Sequence, residues 1–476
     1  MEIEKILTEI KEKTGNSDDL IIRKMNILNN EINIIYNEAL SSSTAISDTI
    51  LKRLSNITDI DKDLYQYIFD IIPASNIKRI NTIKDILLNI FNGFAIIIVD
   101  INKYIAIECK STLDRGINSV ENEFSVIGPK EGFTENITKN IGLIRKKIRS
   151  NDFFSESFTL GKRSKTKVNI CYISSITNNE LIDIVKERLN KINTDAIFDS
   201  GHLEEKLIAK KSIFPVINIT ERPDTTAQAL LEGKICLLID NTPYAMIIPT
   251  FFIDFLHTSD DYYQKPINTT FIRIIRLISF FISIFLPAYY ISVTTNNFSS
   301  IPMTLLINFT IQRQSVPFPA FIEALAMIIC FEILRESDIR IPSKTGTSVS
   351  ILGGLILGSA AVSAGIISPI MIIVIAISAI GALVFTTPAL INAIRYYRIL
   401  ILLICTFFGL YGVFIGLTIL ITNLSSINPF GYPYLSPISP IIKNDIKDSL
   451  IKTNNPKIVK RNPLLAEKNM IKGREQ

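Results

Sequence analysis

Residue types that could carry out catalysis are sparse in this chain. Its two histidines, His202 and His257, are the only ones in 476 residues, so neither a catalytic triad nor a histidine-rich metal cluster can be assembled from them. Five cysteines occur without CxxC spacing, which favours free thiols in a reducing compartment over a disulfide framework or a zinc site. We therefore expect no catalytic residues, no metal, no cofactor and a protein that is not an enzyme. The cysteines are Cys109, Cys171, Cys236, Cys330 and Cys405.

Two short motifs resemble binding sites but lack essential parts. The sequence GHLEE at 201–205 could contribute to a metal site, yet a solvated helix start explains it better. The sequence GKRSKT at 161–166 lacks the upstream glycine of a phosphate-binding loop and has Arg where Ser or Thr should follow the lysine. We expect a basic turn there. The net charge is only +5, and no basic patch is interleaved with aromatic residues, which argues against a nucleic-acid partner.

Charged residues are distributed very unevenly along the chain. No Asp, Glu, Lys or Arg occurs in 345–394 or in 399–442, whereas both flanking parts are rich in charge. A helix that crosses the hydrocarbon core needs about 20 mostly apolar residues. The second half therefore predicts a helical membrane domain at 266–425, followed by a PFGYPY segment and a basic tail at 426–476. The expected spans are 277–293, 347–367, 369–388 and 399–423.

The first half reads as soluble α/β structure. Segments 84–108 and 225–249 each contain a short helical stretch, a glycine and two apolar runs separated by a polar turn, which is typical of a helix followed by a β-hairpin. The likeness of these two segments reflects either duplication or merely two independent uses of the same local pattern of helix, glycine and hairpin. A strand is expected at 168–174, followed by an amphipathic helix. The apolar side of that helix would carry Leu181, Ile182, Val185 and Leu189.

These patterns together predict a multidomain fold, in which a soluble, two-lobed α/β N-terminal domain precedes an all-α polytopic membrane domain. We expect a polar helical lead-in at 1–40, a first cytoplasmic lobe at 41–175 and a second at 176–265. The N-terminus lacks the features of a signal peptide, and both ends of the chain are rich in Lys. Because Lys and Arg collect on the cytoplasmic side of membranes, both ends should lie inside, which requires an even number of crossings.

Charges inside an apolar helix distinguish 320–336 from the four spans. Glu323, Glu332 and Arg335 lie within it, and a charged side chain at mid-bilayer costs about 2.5 to 3.5 kcal/mol on insertion scales. We therefore expect a partly inserted helix rather than a fifth crossing. The same topology places Arg395 and Arg398 outside, between spans three and four.

Small residues in span two allow two interpretations. Gly354 and Gly358 have the small-xxx-small spacing of closely packed membrane helices, and small, hydroxyl-bearing faces also line conduits. Under the second interpretation, residues three and four apart form one stripe with its narrowest point near Val362. This apolar constriction would close by dewetting. The candidate pore-lining residues are Ser348, Leu352, Leu355, Ser359, Val362 and Ile366.

A loop in the first half is a candidate docking surface. The sequence GPKEGFT at 128–134 combines a Gly-Pro turn, two opposite charges and an aromatic residue that we expect to be exposed. An ordinary surface loop is the alternative. The candidate docking residues are Gly128, Pro129, Lys130, Glu131 and Phe133.

Four long blocks, in this order, resemble the A subunit of GerA-type spore germination receptors. They are GPKEGFTENITKNIGLIRKKI at 128–148, PFPAFIEALAMIICFEILRESDIRIP at 317–342, VSILGGLILGSAAVSAGIISP at 349–369 and PFGYPYLSPISP at 429–440. The order of these blocks, their spacing and the boundary between soluble and membrane parts resemble those of the family over nearly the whole chain. Three positions depart from the family pattern. This chain has Ile127 where relatives usually have Arg, Ser363 where many have an acidic or amide residue, and Pro429 where Ser is usual.

The resemblance implies a receptor subunit in the inner membrane of the spore. Such a subunit works with a transporter-like B subunit that recognises nutrients and with a lipoprotein C subunit, and it is expected to form a homo-oligomer in membrane lipid that acts as a ligand-gated ion channel. Ser363 makes any selectivity based on charge at that position uncertain. The alternative from another class is a secondary transporter that moves a small solute or ion alone. Transporters usually carry an internal repeat in the membrane half, and none is visible here.

Overall fold

The chain divides into two compact units. The first comprises Met1–Lys211, Ile217–Thr250 and Asn455–Gln476, and the second comprises Ser212–Val216 and Phe251–Asn454. A computed structural model describes residues 2–28, 30–57, 63–111, 123, 127–208, 212–340, 358–442, 449, 451–452, 460–466 and 468–471.

The first sheet has five antiparallel strands in the order β1-β2-β4-β5-β3. Its central strand is almost continuously apolar because helices cover both faces: Ile97 packs in a cluster on one face and Ile96 in a cluster on the other. The elements are β1 Leu20–Ile27, β2 Asn30–Asn37, β3 Ile77–Ile80, β4 Phe94–Asp100, β5 Lys103–Glu108, α1 Glu2–Lys13, α2 Ser43–Ala45, a π-helix Ile46–Leu51, α3 Lys52–Ser55, α4 Leu64–Ile71 and α5 Ile83–Ile90.

The second sheet repeats the topology of the first. Its order is β6-β7-β9-β10-β8, so each sheet joins two hairpins edge to edge and adds the intervening single strand beyond the second hairpin. This shared order favours duplication over merely similar local sequence. The elements are β6 Phe153–Leu160, β7 Thr166–Ile173, β8 Asn218–Thr220, β9 Ile235–Ile239, β10 Ala245–Ile248, α6 Ile137–Lys147, α7 Asn179–Asn190, α8 Ser200–Leu207 and α9 Pro223–Leu231.

Local predictions in this unit are confirmed, whereas the lobes begin and end elsewhere than expected. The predicted apolar side of α7 is buried, and GKRSKT forms the turn between β6 and β7. However, residues 1–40 contain β1 and β2 of the first sheet, and β6 and β7 belong to the second sheet rather than the first. The reason is long-range pairing: β2 pairs with β4 and β7 pairs with β9, and neither partner is adjacent in sequence.

A buried ion pair lies at the seam between the two sheets. Arg145 of α6 donates to Asp19, which precedes β1, with Nη2 at 2.8 Å from Oδ1. Burial alone would raise the pKa of the Asp19 carboxyl, but the charge and hydrogen bonds of Arg145 hold this pKa below its usual range. The guanidinium also lies over the rings of Phe91 and Phe153, with its Cζ at 4.7 and 4.8 Å from the ring centroids. One ring comes from each lobe.

The end of the chain packs into the second lobe. Leu465 accepts a hydrogen bond from the backbone N–H of Asn178 at 3.2 Å, and Ala466 is fully buried in the core of this lobe. Nearby, Arg461 Nε donates to the carbonyl of Leu231 at 2.7 Å. The basic tail therefore forms part of the first unit in its described residues, 460–466 and 468–471.

The second unit is helical. Among the described residues, two helical segments are long and apolar enough to cross a membrane, Pro266–Asn296 and Pro388–Phe408, and two shorter apolar helices accompany them. The helices are α10 Asp260–Tyr263, α11 Pro266–Ile291, α12 Met303–Arg313, α13 Ala320–Arg340, α14 Pro369–Leu383, α15 Pro388–Phe408 and α16 Leu410–Ser426. Of span two, only 358–367 belongs to the described residues.

The prediction of one span at 399–423 is wrong, because the chain reverses within it. Gly409 has φ +56 and ends α15, a conformation that glycine adopts without steric cost. The two helices then pack closely: a Cβ on Gly412 would lie 2.7 Å from the Cα of Cys405, and one on Gly416 would lie 2.9 Å from Ile401. A small-xxx-small pair thus brings α15 and α16 together. Apolar character alone does not reveal the turn.

Arg145→Met should strongly destabilise the first unit, since it leaves the Asp19 carboxylate buried without its partner. Breaking a buried ion pair costs about 3 to 5 kcal/mol, and urea unfolding of the detergent-solubilised chain, followed by circular dichroism, measures the loss. Lys52→Met is the control, because its pair with Asp48 is exposed and should contribute little.

The same pair predicts the pH dependence. A depressed folded-state pKa contributes stability above the ordinary Asp value, and this contribution is lost as pH falls through the lowered pKa. The difference between the wild-type chain and Arg145→Met should therefore shrink in acid. If the two chains differed equally in their free energy of unfolding in strong acid, the lowered pKa of Asp19 would be contradicted.

Candidate functional site: charges buried among the apolar helices

Glu323 is the most deeply buried charge of α13. Its side chain is completely inaccessible, and Arg313 at the end of α12 lies beside it, with Nε at 3.5 Å from Oε1. The backbone N–H and the hydroxyl of Ser368 donate to Oε2 at 3.1 and 2.9 Å. Ser368 immediately precedes α14. One carboxylate therefore holds α12, α13 and the start of α14 together, and it satisfies a backbone N–H that this helix end leaves free.

Glu332 forms a second site, about two and a half helical turns along α13. Arg395 of α15 lies 2.8 Å from Oε2, and Arg335 lies 3.3 Å from the same oxygen. These three side chains are half-buried, whereas Arg398, one turn beyond Arg395, is buried. The sequence places Arg395 and Arg398 between two spans, whereas the structure places both inside α15. Cations and carboxylates among apolar helices face the bundle interior and pair with one another, and the pair at Glu332 joins α13 to α15.

The PFGYPY segment contributes buried aromatic side chains to the helical unit. Tyr434 is fully buried, and its hydroxyl donates to the carbonyl of Pro215 at 2.7 Å. Its own carbonyl accepts from the backbone N–H of Phe252 at 2.9 Å. Phe252 packs edge-on against Phe280 of α11, with ring centroids 5.1 Å apart. This motif is therefore structural in the second unit, where it anchors 212–216 and the start of α11.

A further charged cluster, which sequence reasoning missed, lies at the start of α11. Asp261 accepts from Arg276 at 2.7 Å and from Arg273 at 3.3 Å. Burial would raise the pKa of the Asp261 carboxyl, but the hydrogen bond and charge of Arg276 hold it below its usual range. The available signal is the spacing of the two arginines, which lie three apart and therefore share a helix face.

His257 belongs to the same cluster. Burial, together with the nearby charge of Arg273, lowers the pKa of its imidazole to about 4. The ring is therefore neutral at pH 7, and its Nε2 lies 2.6 Å from the carbonyl of Ser449. The cluster is thus a packing site for the segment that contains Ser449 and Lys452, whose backbone N–H donates to Thr270 at 3.0 Å.

The described part of span two is largely exposed, although Ile367 at its end is buried. Ser359 and Ile366 are accessible, Val362 is half-buried, and a Cβ on Gly358 would meet nothing within 4 Å. The helical stretch 358–363 ends in a turn at Gly365, which has φ +64. Three candidate pore-lining residues and one candidate packing glycine lie outside the described residues. They are Ser348, Leu352, Leu355 and Gly354.

The loop at 128–134 is only partly exposed. Gly128 and Lys130 are accessible, but Glu131 pairs with Lys146 and Lys147 at 3.1 and 3.2 Å. The carbonyl of Pro129 accepts from Arg222 at 3.0 Å. The expectation of an exposed aromatic is wrong: Phe133 is 2% accessible and belongs to the core of the second lobe. Its backbone N–H donates to the backbone carbonyl of Glu221 at 2.8 Å, and its ring lies inside the lobe.

Comparison with known proteins decides the family. A model described as "Bacillus/Clostridium GerA spore germination protein" matches residues 8–464. The chain belongs to the GerA spore germination family.

Curated relatives match almost the whole of this GerA-family chain. Spore germination protein KA of Bacillus subtilis is 35% identical over 458 residues, which cover 94% of this chain and 84% of that protein. Spore germination protein GerQA of Bacillus cereus is 34% identical over 454 residues, covering 94% and 90%. The N-terminal domain of the A subunit of the Bacillus megaterium spore germinant receptor GerK3 is 33% identical and covers 52% of this chain and 94% of that one, with a TM-score of 0.41.

Ion pairs of α13 connect this helix to other helices of the GerA-family chain. Glu323 and Glu332 each pair with a cation on another helix, so α13 cannot shift without exchanging partners at one of them. Because an unpaired charge in an apolar surrounding is costly, such a shift would proceed between discrete arrangements. This is the kind of element that a signal can bias.

Glu323→Ala should destabilise the helical unit by about 3 to 5 kcal/mol, the cost of leaving a buried partner unpaired. The reason is that Arg313 and the N–H of Ser368 both lose their acceptor. Glu336→Ala on the same helix is the matched control, because its pair with Arg340 is exposed and its removal should change little. Thermal aggregation of the detergent-solubilised variants compares them. Equal midpoints for the two variants would show that Glu323 does not hold the helices together.

Proposed function

We propose that this chain is the membrane subunit of a spore nutrient-germinant receptor, and that copies of it form an ion-conducting oligomer which triggers germination. Membership of the GerA family over residues 8–464 supports the receptor role. The two long apolar helices, α11 and α15, support a location in a membrane, which we propose is the inner membrane of the spore. The N-terminal lobes would lie on the cytoplasmic side.

The proposed partners are a transporter-like B subunit, a lipoprotein C subunit, membrane lipid and further copies of this chain. Nutrient recognised elsewhere in the receptor would favour an open arrangement of the oligomer through differential contacts with the two states. The exposed residues Gly128 and Lys130 remain candidates for docking another subunit. Phe133 is better explained by its role in the core of the second lobe.

One observation carries the channel proposal. Ser359 and Ile366 are exposed and Val362 is half-buried, although they lie in a charge-free region between α13 and α14. The helical stretch that carries Ser359 and Val362 ends before Ile366. A surface that the described helices of its own chain do not cover is suited to face a conduit or neighbouring copies. Mixing a hydroxyl with bulky apolar groups suits a gate that closes by dewetting. We therefore propose that Val362 forms the constriction, with Ser348, Leu352 and Leu355 continuing the stripe.

Val362→Ala should widen the constriction and cause ion leak or spontaneous germination, whereas Val362→Phe should block the response to nutrient. Release of monovalent cations from spores, at matched receptor levels, measures both effects. Val384→Ala is the control, since it makes the same chemical change at another half-buried valine of the apolar region. Wild-type flux from both Val362 variants would refute the assignment of the pore to span two.

The packing of the tail supports a topology with an even number of crossings. Residues that pack into the second lobe, such as Leu465 and Ala466, must lie on the same side of a membrane as that lobe. Any crossings made between 251 and 454 must then return the chain to the side from which it started. The Lys-rich character of both ends favours the same topology.

Cysteines introduced at Lys52 and at Asn469, both exposed, should be equally protected from a membrane-impermeant maleimide in intact cells and equally labelled after permeabilisation. Four of the five native cysteines are buried, and the chain without the introduced cysteines supplies the background. Labelling of the Asn469→Cys variant alone in intact cells would show an odd number of crossings and would contradict the tail packing.

A secondary transporter remains the alternative function. The duplication in this chain lies in the two N-terminal sheets, and transporters are expected to carry their repeats in the membrane part. The discriminating measurement is flux through vesicles that contain this chain alone. A transporter would move its solute without partners, whereas the receptor subunit should respond to nutrient only with the B and C subunits present.

A further inference from the structure

A cavity of about 190 Å³ lies in the first unit, between the two lobes. Asn92, Gly93, Lys110 and Ser111 line it from the first lobe, and Lys146 and Arg149 line it from the end of α6 in the second. Pockets for drug-sized ligands hold roughly 300 to 1,000 Å³, so this cavity fits only a small ligand. None of the described residues that line it is acidic.

Two of the three described cations of the cavity pair with carboxylates. Lys110 pairs with Glu108 at 2.6 Å and Lys146 pairs with Glu131 at 3.1 Å, and neither carboxylate belongs to the lining. Arg149 is exposed and has no ion-pair partner within the part of the chain that the structure describes. Because Lys and Arg carry donors and no acceptors, this lining favours a ligand rich in acceptor oxygens.

Local backbone geometry fixes the position of Lys110. Gly93 has φ +80, and a Cβ there would lie 2.9 Å from Cγ of Lys110 and 3.0 Å from the carbonyl oxygen of Leu40. The absence of a side chain therefore lets the stem of Lys110 lie against the turn that precedes β4. Its ammonium group also lies 5.4 Å from the ring centroid of Phe94, which restrains it further.

The duplicated second lobe shows what such a turn can accept. Gly233, the glycine between α9 and β9, has φ +94 and corresponds in topology to Gly93. There the tail packs against the turn, with the carbonyl oxygen of Leu465 2.9 Å from the position of a Cβ on Gly233. The turn of the second lobe is thus covered by a segment of the chain itself. The corresponding turn of the first lobe is lined by lysines and an arginine.

We propose that this cavity binds a phosphate group, either free phosphate or a small phosphomonoester, and that the ligand links the two lobes. A phosphate dianion offers several strong acceptor oxygens, which can take donors from Lys110 and Ser111 on one lobe and from Lys146 and Arg149 on the other. A monoanionic carboxylate could be satisfied by Arg149 alone and would not require cations from two lobes. The site is separate from the proposed channel and does not depend on it.

Isothermal titration calorimetry of the detergent-solubilised full chain with inorganic phosphate tests the proposal. We expect saturable binding with one site per chain and a higher unfolding midpoint in phosphate than in chloride of equal ionic strength. Arg149→Gln and Lys110→Gln should each weaken binding about tenfold or more, the effect of one hydrogen bond to a charged group. Lys103→Gln is the matched control, because Lys103 lies at the other end of β5 and outside the lining. The affinity of this variant for phosphate should equal that of the wild-type chain.

Two further titrations define the ligand. Tighter binding of glycerol 3-phosphate than of inorganic phosphate would identify a phosphomonoester, and the reverse order would identify free phosphate. Equally tight binding of acetate, or wild-type phosphate affinity in an Arg149→Gln and Lys110→Gln double variant with an unchanged circular dichroism spectrum, would overturn the proposal. So would the absence of saturable binding to the wild-type chain.

Discussion

Asp19 and Arg145 are removed from water together, and the seam between the two sheets depends on this pairing. A lone carboxylate or guanidinium at that depth would be strongly unfavourable, so each group requires the other lobe to be in place. The partners come from opposite sides of the seam, since Asp19 precedes β1 and Arg145 lies in the last turn of α6. Aromatic rings from both lobes then enclose the guanidinium. The pair specifies one arrangement of two sheets whose strands otherwise pair only within their own lobe.

The helical unit follows the same rule with different consequences. Its carboxylates at Glu323 and Glu332 are paired across helices, and the stretch of α13 between them is apolar. In a soluble core such pairs contribute little net stability compared with apolar residues, but they allow few intermediate positions. A helix held by contacts of this kind moves between discrete alternative positions rather than through a continuous range.

Duplication and small residues explain much of the remaining architecture. The two sheets repeat one topology, and each carries a glycine with positive φ before its second hairpin, Gly93 and Gly233. In one lobe the turn is packed against the tail, and in the other it borders a basic cavity. Gly409, Gly412 and Gly416 similarly determine how α15 and α16 meet. At these positions a missing Cβ decides which segment can approach.

The sequence by itself determined the family, the change from soluble α/β lobes to apolar helices, the two central hairpins and the buried side of α7. Each of these is expressed in local periodicity, in the absence of charge over long runs, or in extended motifs. Only the tertiary structure decided that β1 and β2 join β4, that 399–423 reverses at Gly409, that Phe133 is buried and that Arg395 pairs with Glu332. The physical reason is the same in each case. Strand pairing, burial and ion pairing depend on a partner that is distant in sequence, and the residues of one segment do not identify that partner.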